Sequence, residues 1–289
     1  MDFAGSWYPR GREACLSKIE SYLTEGDESA AATRSGVAPA RIGIVPHAGW
    51  VYSGRLAGRT FNCLTNDPGV ELVVLLGGHL GQGDPIVAMV EGEWETPFGP
   101  FVIHEGFTAE LERFGSVVLE REGRYTPDNS TELQLPFAKH RFPAARLLPL
   151  RVPPGNVAID LGRSLAGYLE RSGLNAVVIA STDLTHYGPN YGFTPKGRGP
   201  SALAWVRAEN DAAFIRAVES GQSPAILAAM HRKHAACSAG SVVAANEIAL
   251  SRGQRFRTLA YTTSADVSAE LGAGESAENF VGYLSGVYC

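Results

Sequence analysis

Asn175-Ala176-Val177-Val178-Ile179-Ala180-Ser181-Thr182-Asp183-Leu184-Thr185-His186 starts as an unbroken apolar run, rich in branched residues, and then turns polar. A short run with no alternating polar residue reads as a parallel strand buried on both faces. Segments 41–45 and 71–76 share the pattern. Further strand candidates are 145–152, 256–262 and 280–288. Helical patterns lie between them at 13–23, 54–64, 132–141, 158–171, 203–219, 224–231 and 241–251. Strands alternating with helices predict an α/β chain, one sheet with helices on both faces. Segment 84–104 differs: strand-like pieces at 86–90 and 101–104 flank the turn-rich 95–100, which predicts a hairpin-like insertion. Segments 25–39 and 268–278 read as loops. No repeat or linker divides the chain, so one domain is expected over 1–289.

Of 289 residues, 45% are hydrophobic, enough for a core without external staples. A formal net charge of -5 argues against a general polyanion binder, so no nucleic-acid partner is expected. The amino-terminal stretch MDFAGSWYPRGREACL has no basic segment leading into an apolar run, and no stretch of apolar residues is long enough for a membrane span. The four cysteines, Cys15, Cys63, Cys237 and Cys289, are scattered, with no CxxC pair. Structural disulfides are not expected, and a cytoplasmic location is.

The chemistry concentrates where strands end. His47 follows Ile44-Val45-Pro46, His79 follows Leu76-Gly77-Gly78, and Asp183 and His186 follow Ile179-Ala180-Ser181-Thr182. In an open α/β sheet, ligands bind beyond the carboxyl ends of the strands. If these strands are parallel neighbours, the side chains converge on one crevice. A histidine after a strand is, taken alone, more often a packing residue than a ligand; three strand ends carrying such groups point to a shared site. Cys237 lies just before a helical run beginning near Val242, where the helix dipole favours the thiolate. Glu132 reads first as part of a helix amino terminus capped by Asn129 or Ser130. His231 and His234, next to Arg232 and Lys233, read as a solvated basic helix end, and His104 and His140 as non-functional.

The same residues carry a resemblance to the Memo family, whose prokaryotic members include AmmeMemoRadiSam system protein B. The matching pieces, in order, are Ala4-Gly5-Ser6-Trp7-Tyr8-Pro9, Pro46-His47-Ala48-Gly49-Trp50, His79-Leu80-Gly81-Gln82-Gly83-Asp84-Pro85, Trp94-Glu95-Thr96-Pro97-Phe98-Gly99, Ser130-Thr131-Glu132-Leu133-Gln134-Leu135-Pro136-Phe137, Ser181-Thr182-Asp183-Leu184-Thr185-His186-Tyr187 and Ala236-Cys237. The resemblance implies a fold similar to LigB-type extradiol dioxygenases, a three-layer α/β/α arrangement around a mixed, largely parallel sheet. It also implies metal ligands at His47, His79 and Cys237, with Asp183 and His186 lining the pocket. Three places depart from the family pattern: Asn129 stands where histidine is common, Gly77-Gly78-His79 where Gly-Pro, a polar residue and then histidine are usual, and Ser238 where glycine often follows the cysteine.

Several functions are compatible with this reading. The first is a non-haem iron, dioxygenase-like oxidoreductase acting on a small aromatic or enolic substrate. A mononuclear divalent metal, Fe(II) first with copper or zinc as alternatives, would sit on His47, His79 and Cys237. His186, oriented by Asp183, would be its general base, and Trp50, Tyr52 and Tyr187 an aromatic wall. The others are a non-enzymatic metal-binding or adaptor protein and a hydrolase, either metal-dependent or built on Cys237, His186 and Asp183. The family name further implies association with AMMECR1-like and radical SAM proteins.

Overall fold

The computed structural model describes residues 1–34, 39–272 and 277–289. Its strands are β1 (Ile42–Val45), β2 (Leu72–Gly77), β3 (Ile86–Met89), β4 (Glu93–Trp94), β5 (Phe101–Val102), β6 (Val117–Glu120), β7 (Arg146–Arg151), β8 (Ala176–Ser181), β9 (His186–Tyr187), β10 (Phe256–Thr263) and β11 (Phe280–Tyr288). Its helices are α1 (Arg12–Arg34), α2 (Trp50–Cys63), α3 (Thr108–Leu111), α4 (Asn129–Glu132), α5 (Leu135–Arg141), α6 (Asn156–Ser172), α7 (Pro200–Trp205), α8 (Ala212–Glu219), α9 (Ser223–Lys233), α10 (Ala239–Ser251) and α11 (Ser264–Glu270).

One nine-stranded sheet runs in the order β10-β11-β1-β8-β2-β7-β3-β6, with β9 added to β11. Its centre, β1-β8-β2-β7, is parallel throughout. Antiparallel pairings of β11 with β1 and of β3 with β7 flank that centre. The sheet is therefore mixed but largely parallel at its heart, as predicted. Every residue of β1, β2 and β8 is buried. Successive side chains of a strand point to opposite faces. Leu72, Val74 and Leu76 thus join one core with α6, α8, α9 and α10. Val73 and Leu75 join a second core with α1, α2 and α5. Two apolar faces, each covered by helices, give the three layers.

Several elements differ from the sequence expectation. Segment 25–39 is helical as far as Arg34, because α1 continues through it. Ala30, Ala31 and Ala32 have the highest helix propensity of any residue and outweigh the polar composition; positions 35–38 lie outside the described residues. The 84–104 insertion is split. Ile86–Met89 joins the main sheet between β7 and β6, and only β4 and β5 form the small antiparallel pair. The helix expected at 132–141 breaks into α4 and α5 at Gln134, with Pro136 in the first turn of α5. The helix expected at 203–219 contains a π-helical turn, Val206–Asp211, between α7 and α8. The loop expected at 268–278 begins inside α11, and residues 273–276 lie outside the described residues. Among the described residues, no helix is long and apolar enough to cross a membrane.

Helices α6 and α10 meet at Gly162. A Cβ built there would lie 2.6 Å from the carbonyl oxygen of Ala244 and 2.7 Å from Glu247 Cβ. Both helices also cover the sheet face beneath the site-bearing strand ends. Gly162→Ala should therefore lower unfolding stability by about 1–3 kcal/mol, the usual cost of overpacking. Chemical denaturation checks this, and an unchanged midpoint would contradict the close approach.

Candidate metal centre

The parallel register decides where the polar residues fall. Val45 pairs with Ser181, and Leu76 pairs with Ala180. The segments after β1, β2 and β8 therefore leave the sheet at one edge and at nearly one level. His47, His79 and Asp183 each stand two residues beyond their strand's end. Cys237 arrives from the other direction, in the turn before α10, two residues ahead of Ala239. Its helix begins at Ala239, two residues ahead of the 241–251 pattern in the sequence, which brings the thiol closer to the positive end of the dipole.

The structure brings the three proposed ligands together. His47 Nε2 lies 3.1 Å from His79 Nε2 and 3.1 Å from Cys237 Sγ. The three potential donor atoms all lie within 4.8 Å of one another. Two imidazole lone pairs and a thiolate facing one point repel unless a proton or a cation lies among them. A four-coordinate ion with metal–nitrogen bonds of about 2.0–2.1 Å and a metal–sulfur bond of about 2.3 Å sets N–N and N–S separations of roughly 3.3 and 3.6 Å. The two separations from His47 Nε2 are slightly tighter than that, and all three donors stay within 4.8 Å, so the residues fit a mononuclear ion with modest adjustment. A mixed nitrogen–sulfur donor set suits iron, copper or zinc better than calcium or magnesium.

Around the cluster each imidazole has a fixed partner. His47 is buried, and its Nδ1 meets Ser181 Oγ at 3.0 Å, which leaves Nε2 to face the centre. Behind His79, Asp128 Oδ1 stands 3.6 Å from Nδ1. Sequence reasoning missed Asp128, although its position just ahead of Asn129-Ser130 is a capping signal. Asp128 is the amino-terminal cap of α4, accepting from the Ser130 N–H at 2.9 Å. Asn129 and Ser130, the caps expected from sequence, are not. Carboxylate–histidine pairs of this kind orient metal ligands.

Asp183 ties the loops to one another. Its Oδ1 accepts the His47 backbone N–H at 2.7 Å, and its own N–H donates to Cys237 Sγ at 3.2 Å. The Cys237 N–H returns to the Asp183 carbonyl at 3.2 Å. His186 Nε2 is 3.8 Å from Asp183 Oδ2 and, among the described residues, is buried without a hydrogen-bond partner. An orphaned ring nitrogen beside a metal-fitting cluster is what a site awaiting a ligand would leave.

The charges follow from these contacts. Burial pushes the Cys237 thiol up, but His47, His186 and His79 outweigh it and hold the pKa well below the usual thiol range. Burial lowers His79, while Asp128 and the Cys237 thiolate lift it further, up to about 10. His186 reaches about 10 the same way: burial lowers it, and Asp183 and Cys237 raise it more. His47 is also raised, with burial overcome by Cys237 and Asp183. Without a cation the cluster therefore favours a thiolate beside imidazoles shifted toward their protonated forms, and a bound metal would compete with those protons.

The remaining sequence candidates are elsewhere. Glu132 does not face the pocket. Fully buried, it accepts hydrogen bonds from the Asp2 and Phe3 N–H groups and from the Tyr8 hydroxyl at 2.8, 2.9 and 2.9 Å. It anchors the amino-terminal segment, which carries Trp7 to the rim of the site. Of the expected aromatic wall only Tyr52 lines the cavity of about 670 Å³ beside Asp183 and His186, together with Trp7, Tyr191 and Tyr283. Trp50 and Tyr187 are buried, with Trp50 Nε1 donating to Leu133 O at 3.1 Å and Tyr187 OH donating to Gly197 O at 2.9 Å. Cys15 is buried in the second core.

With this geometry in place, the comparisons with known proteins decide the family. A family model described as Memo-like protein matches residues 1–287. The chain belongs to the Memo family. A MEMO1 family protein of Pyrococcus horikoshii is 30% identical over 292 residues, covering 98% of this chain and 96% of its own. Another, from Thermococcus onnurineus, is 30% identical over 294 residues, covering 99% and 97%. Among solved structures, an uncharacterized protein of Escherichia coli K12 aligns with a TM-score of 0.49 at 12% identity, covering 83% of this chain and 98% of that one.

In this Memo family chain the three departures from the family pattern all act on the loops that carry His47, His79 and Cys237. Asn129 Nδ2 donates to the His47 carbonyl at 3.0 Å. Ser238 Oγ donates to the Gly78 carbonyl at 2.9 Å, joining the Cys237 turn to the His79 turn. Gly78 has φ +104, and a Cβ there would lie 2.6 Å from Arg151 Cβ, so this turn has no room for the polar side chain usual before the histidine.

The depressed thiol pKa gives a direct check. With metal stripped by chelation, iodoacetamide should modify Cys237 at a rate that stays nearly flat from about pH 8 down to about pH 6, since the thiolate persists there. Cys15, pushed up to about 12 by burial, should stay unmodified in the folded chain. A Cys237 rate falling about tenfold per unit over that range would contradict the charge assignment.

Proposed function

We propose that this Memo family chain is a metal-binding protein in which His47, His79 and Cys237 hold one divalent ion, and that it acts as a dioxygenase-like oxidoreductase on a small aromatic or enolic ligand. The observation that carries this reading is the three donor atoms within 4.8 Å of one another, beside a buried His186 Nε2 that has no partner among the described residues. Iron(II) on such a face would supply Lewis acidity and one-electron chemistry, with copper or zinc as the alternative occupants.

The chain's own residues supply the rest. Trp7, Tyr52, Tyr191 and Tyr283 offer ring faces to a planar ligand in the cavity beside Asp183 and His186. His186 is the group placed to take a proton from a phenolic or enolic hydroxyl. Its pKa of about 10 is set in part by the uncompensated Cys237 thiolate. Sharing that negative charge with a cation weakens the lift and returns the imidazole toward the range where it accepts protons. Asp183 orients His186 from 3.8 Å while its other oxygen holds the His47 loop. Work in the cytoplasm beside AMMECR1-like and radical SAM proteins belongs to the same reading, supported by family membership.

A second reading, metal handling without turnover, is favoured by Asn129. Its amide does not take up or release a proton near neutral pH as an imidazole can, and its N–H is already engaged with the His47 carbonyl. A hydrolase built on Cys237, His186 and Asp183 is less well supported, because the imidazole nitrogen found 3.1 Å from the sulfur belongs to His47.

Elemental analysis of protein purified without added metal should find about one ion per chain. His47→Ala, His79→Ala and Cys237→Ala should each bring that to near zero in protein that remains folded by circular dichroism. Stoichiometric metal surviving in any of the three would remove that residue from the ligand set. His186→Gln should keep the metal and lose oxygen uptake with aromatic diols after anaerobic Fe(II) loading. Bound metal with no uptake in the unaltered chain would decide for metal handling.

A further inference from the structure

A second cavity, of about 490 Å³, is lined by both His186 and Cys237 and not by Trp7. His186 and Tyr191 border both cavities and stand between them, their rings 5.0 Å apart. The second cavity's lining is chemically distinct. It includes His231 and His234, contains no carboxylate, and has apolar surface from Leu184, Phe193 and Met230. The sequence around it has the same bias: no acidic residue occurs between Glu219 and Glu247, and Arg232 and Lys233 stand between the two histidines. In a chain of net charge -5, that is a local reversal of sign.

His234 is held in place with care. It is the only non-glycine residue with positive φ among the described residues, at 47°, and it ends α9 by donating its N–H to Met230 O at 2.9 Å. Glycine or asparagine is the usual solution for that conformation. Here a histidine takes it, with its ring 5.3 Å from that of Phe193. Among the described residues neither the His231 nor the His234 ring has a hydrogen-bond partner. An imidazole can donate an N–H in either charge state, so the two rings offer free donors at the mouth of a cavity whose inner end is Cys237.

We infer that this cavity is a binding subsite for a single-ring aromatic carboxylate. Its carboxylate is received by His231 and His234, its ring packs on Phe193 and Met230, and its other end faces Cys237 and His186. A cavity of this size takes one ring with its substituents. An isosteric neutral ligand would fill the same space without matching the donors, and a carboxylate accepts stronger hydrogen bonds than an amide does. The inference depends on the proposed metal centre only for which end of the ligand faces Cys237; the preference for an anion rests on the two histidines.

The test is calorimetric, on the full chain reconstituted with Fe(II) under anaerobic conditions, with 4-hydroxybenzoate and 4-hydroxybenzamide as the probes. The benzoate should bind at least about tenfold more tightly than the amide. The double variant His231→Gln with His234→Asn, the latter chosen because asparagine tolerates left-handed backbone, should weaken the benzoate to the amide's level. Metal content and amide affinity should stay unchanged. His231→Gln alone, at an exposed position, should lose part of the preference and serves if the double variant does not fold. Equal affinity for the two probes in the unaltered chain, or a preference that survives both variants, would overturn the inference. Metal-free Cys237→Ala protein should retain the preference for the benzoate. Failure of the metal centre would therefore appear as absent metal with the preference intact, and failure of the subsite as the reverse.

Discussion

The arrangement of the site depends on Asp183. One carboxylate oxygen holds the His47 backbone at 2.7 Å, while its own peptide N–H and C=O hold the sulfur and the N–H of Cys237. A single residue at the end of β8 thus fixes the loop after β1 and the turn before α10. The bond to His47 is a charge-assisted hydrogen bond in a buried setting, the strong kind, and leaving its partner unmet there is costly. Asp183 is 3% exposed, so water cannot substitute for it. Its part in orienting His186, at 3.8 Å, is the weaker of its two contributions.

The loop that carries His79 is secured by a parallel device. Gly78 donates its N–H to Ser130 Oγ at 2.7 Å and accepts from Ser238 Oγ, so the His79 turn is tied both to α4 and to the Cys237 turn. Asp128 caps α4 and backs His79, and Arg151, at the end of β7, pairs with both Asp128 and Glu120. The donor cluster therefore rests on a hydrogen-bonded ring of residues drawn from β1, β2, β7 and β8 and from two helix amino termini. Pre-positioning of this sort lets three donors that would repel one another stay together.

Glu132 shows how a short motif can mislead. Its place in the first turn of a helix suggested a cap or a pocket carboxylate, and it is neither. The side chain reaches across to residues 2, 3 and 8, more than a hundred positions away in the chain. What it contributes to the site is indirect: it fastens the segment bearing Trp7, whose carbonyl in turn accepts the Trp50 N–H at 2.9 Å at the start of α2. The expected aromatic wall fails for a related reason. Trp50 and Tyr187 went to cores that local spacing could not distinguish from the pocket, since an aromatic residue reads the same in either place.

The sequence by itself determined the layered α/β fold, because continuous apolar runs such as 175–180 can only be buried on both faces, and the periodic segments between them must supply the cover. It also determined the chemical kinds at the strand ends, since a strand that stops at glycine or proline leaves the next polar residue at the edge. The tertiary structure alone decided which of those residues meet. The spacing of His47 Nε2 from His79 and Cys237 depends on strand order and register, which are set by pairings between segments far apart in the chain. The same holds for His231 and His234, a plain basic helix end in the sequence. They border the cavity at Cys237 only because α9 and α10 pack against the same sheet face. Local pattern encodes burial and periodicity; proximity between distant segments is a property of the packed whole.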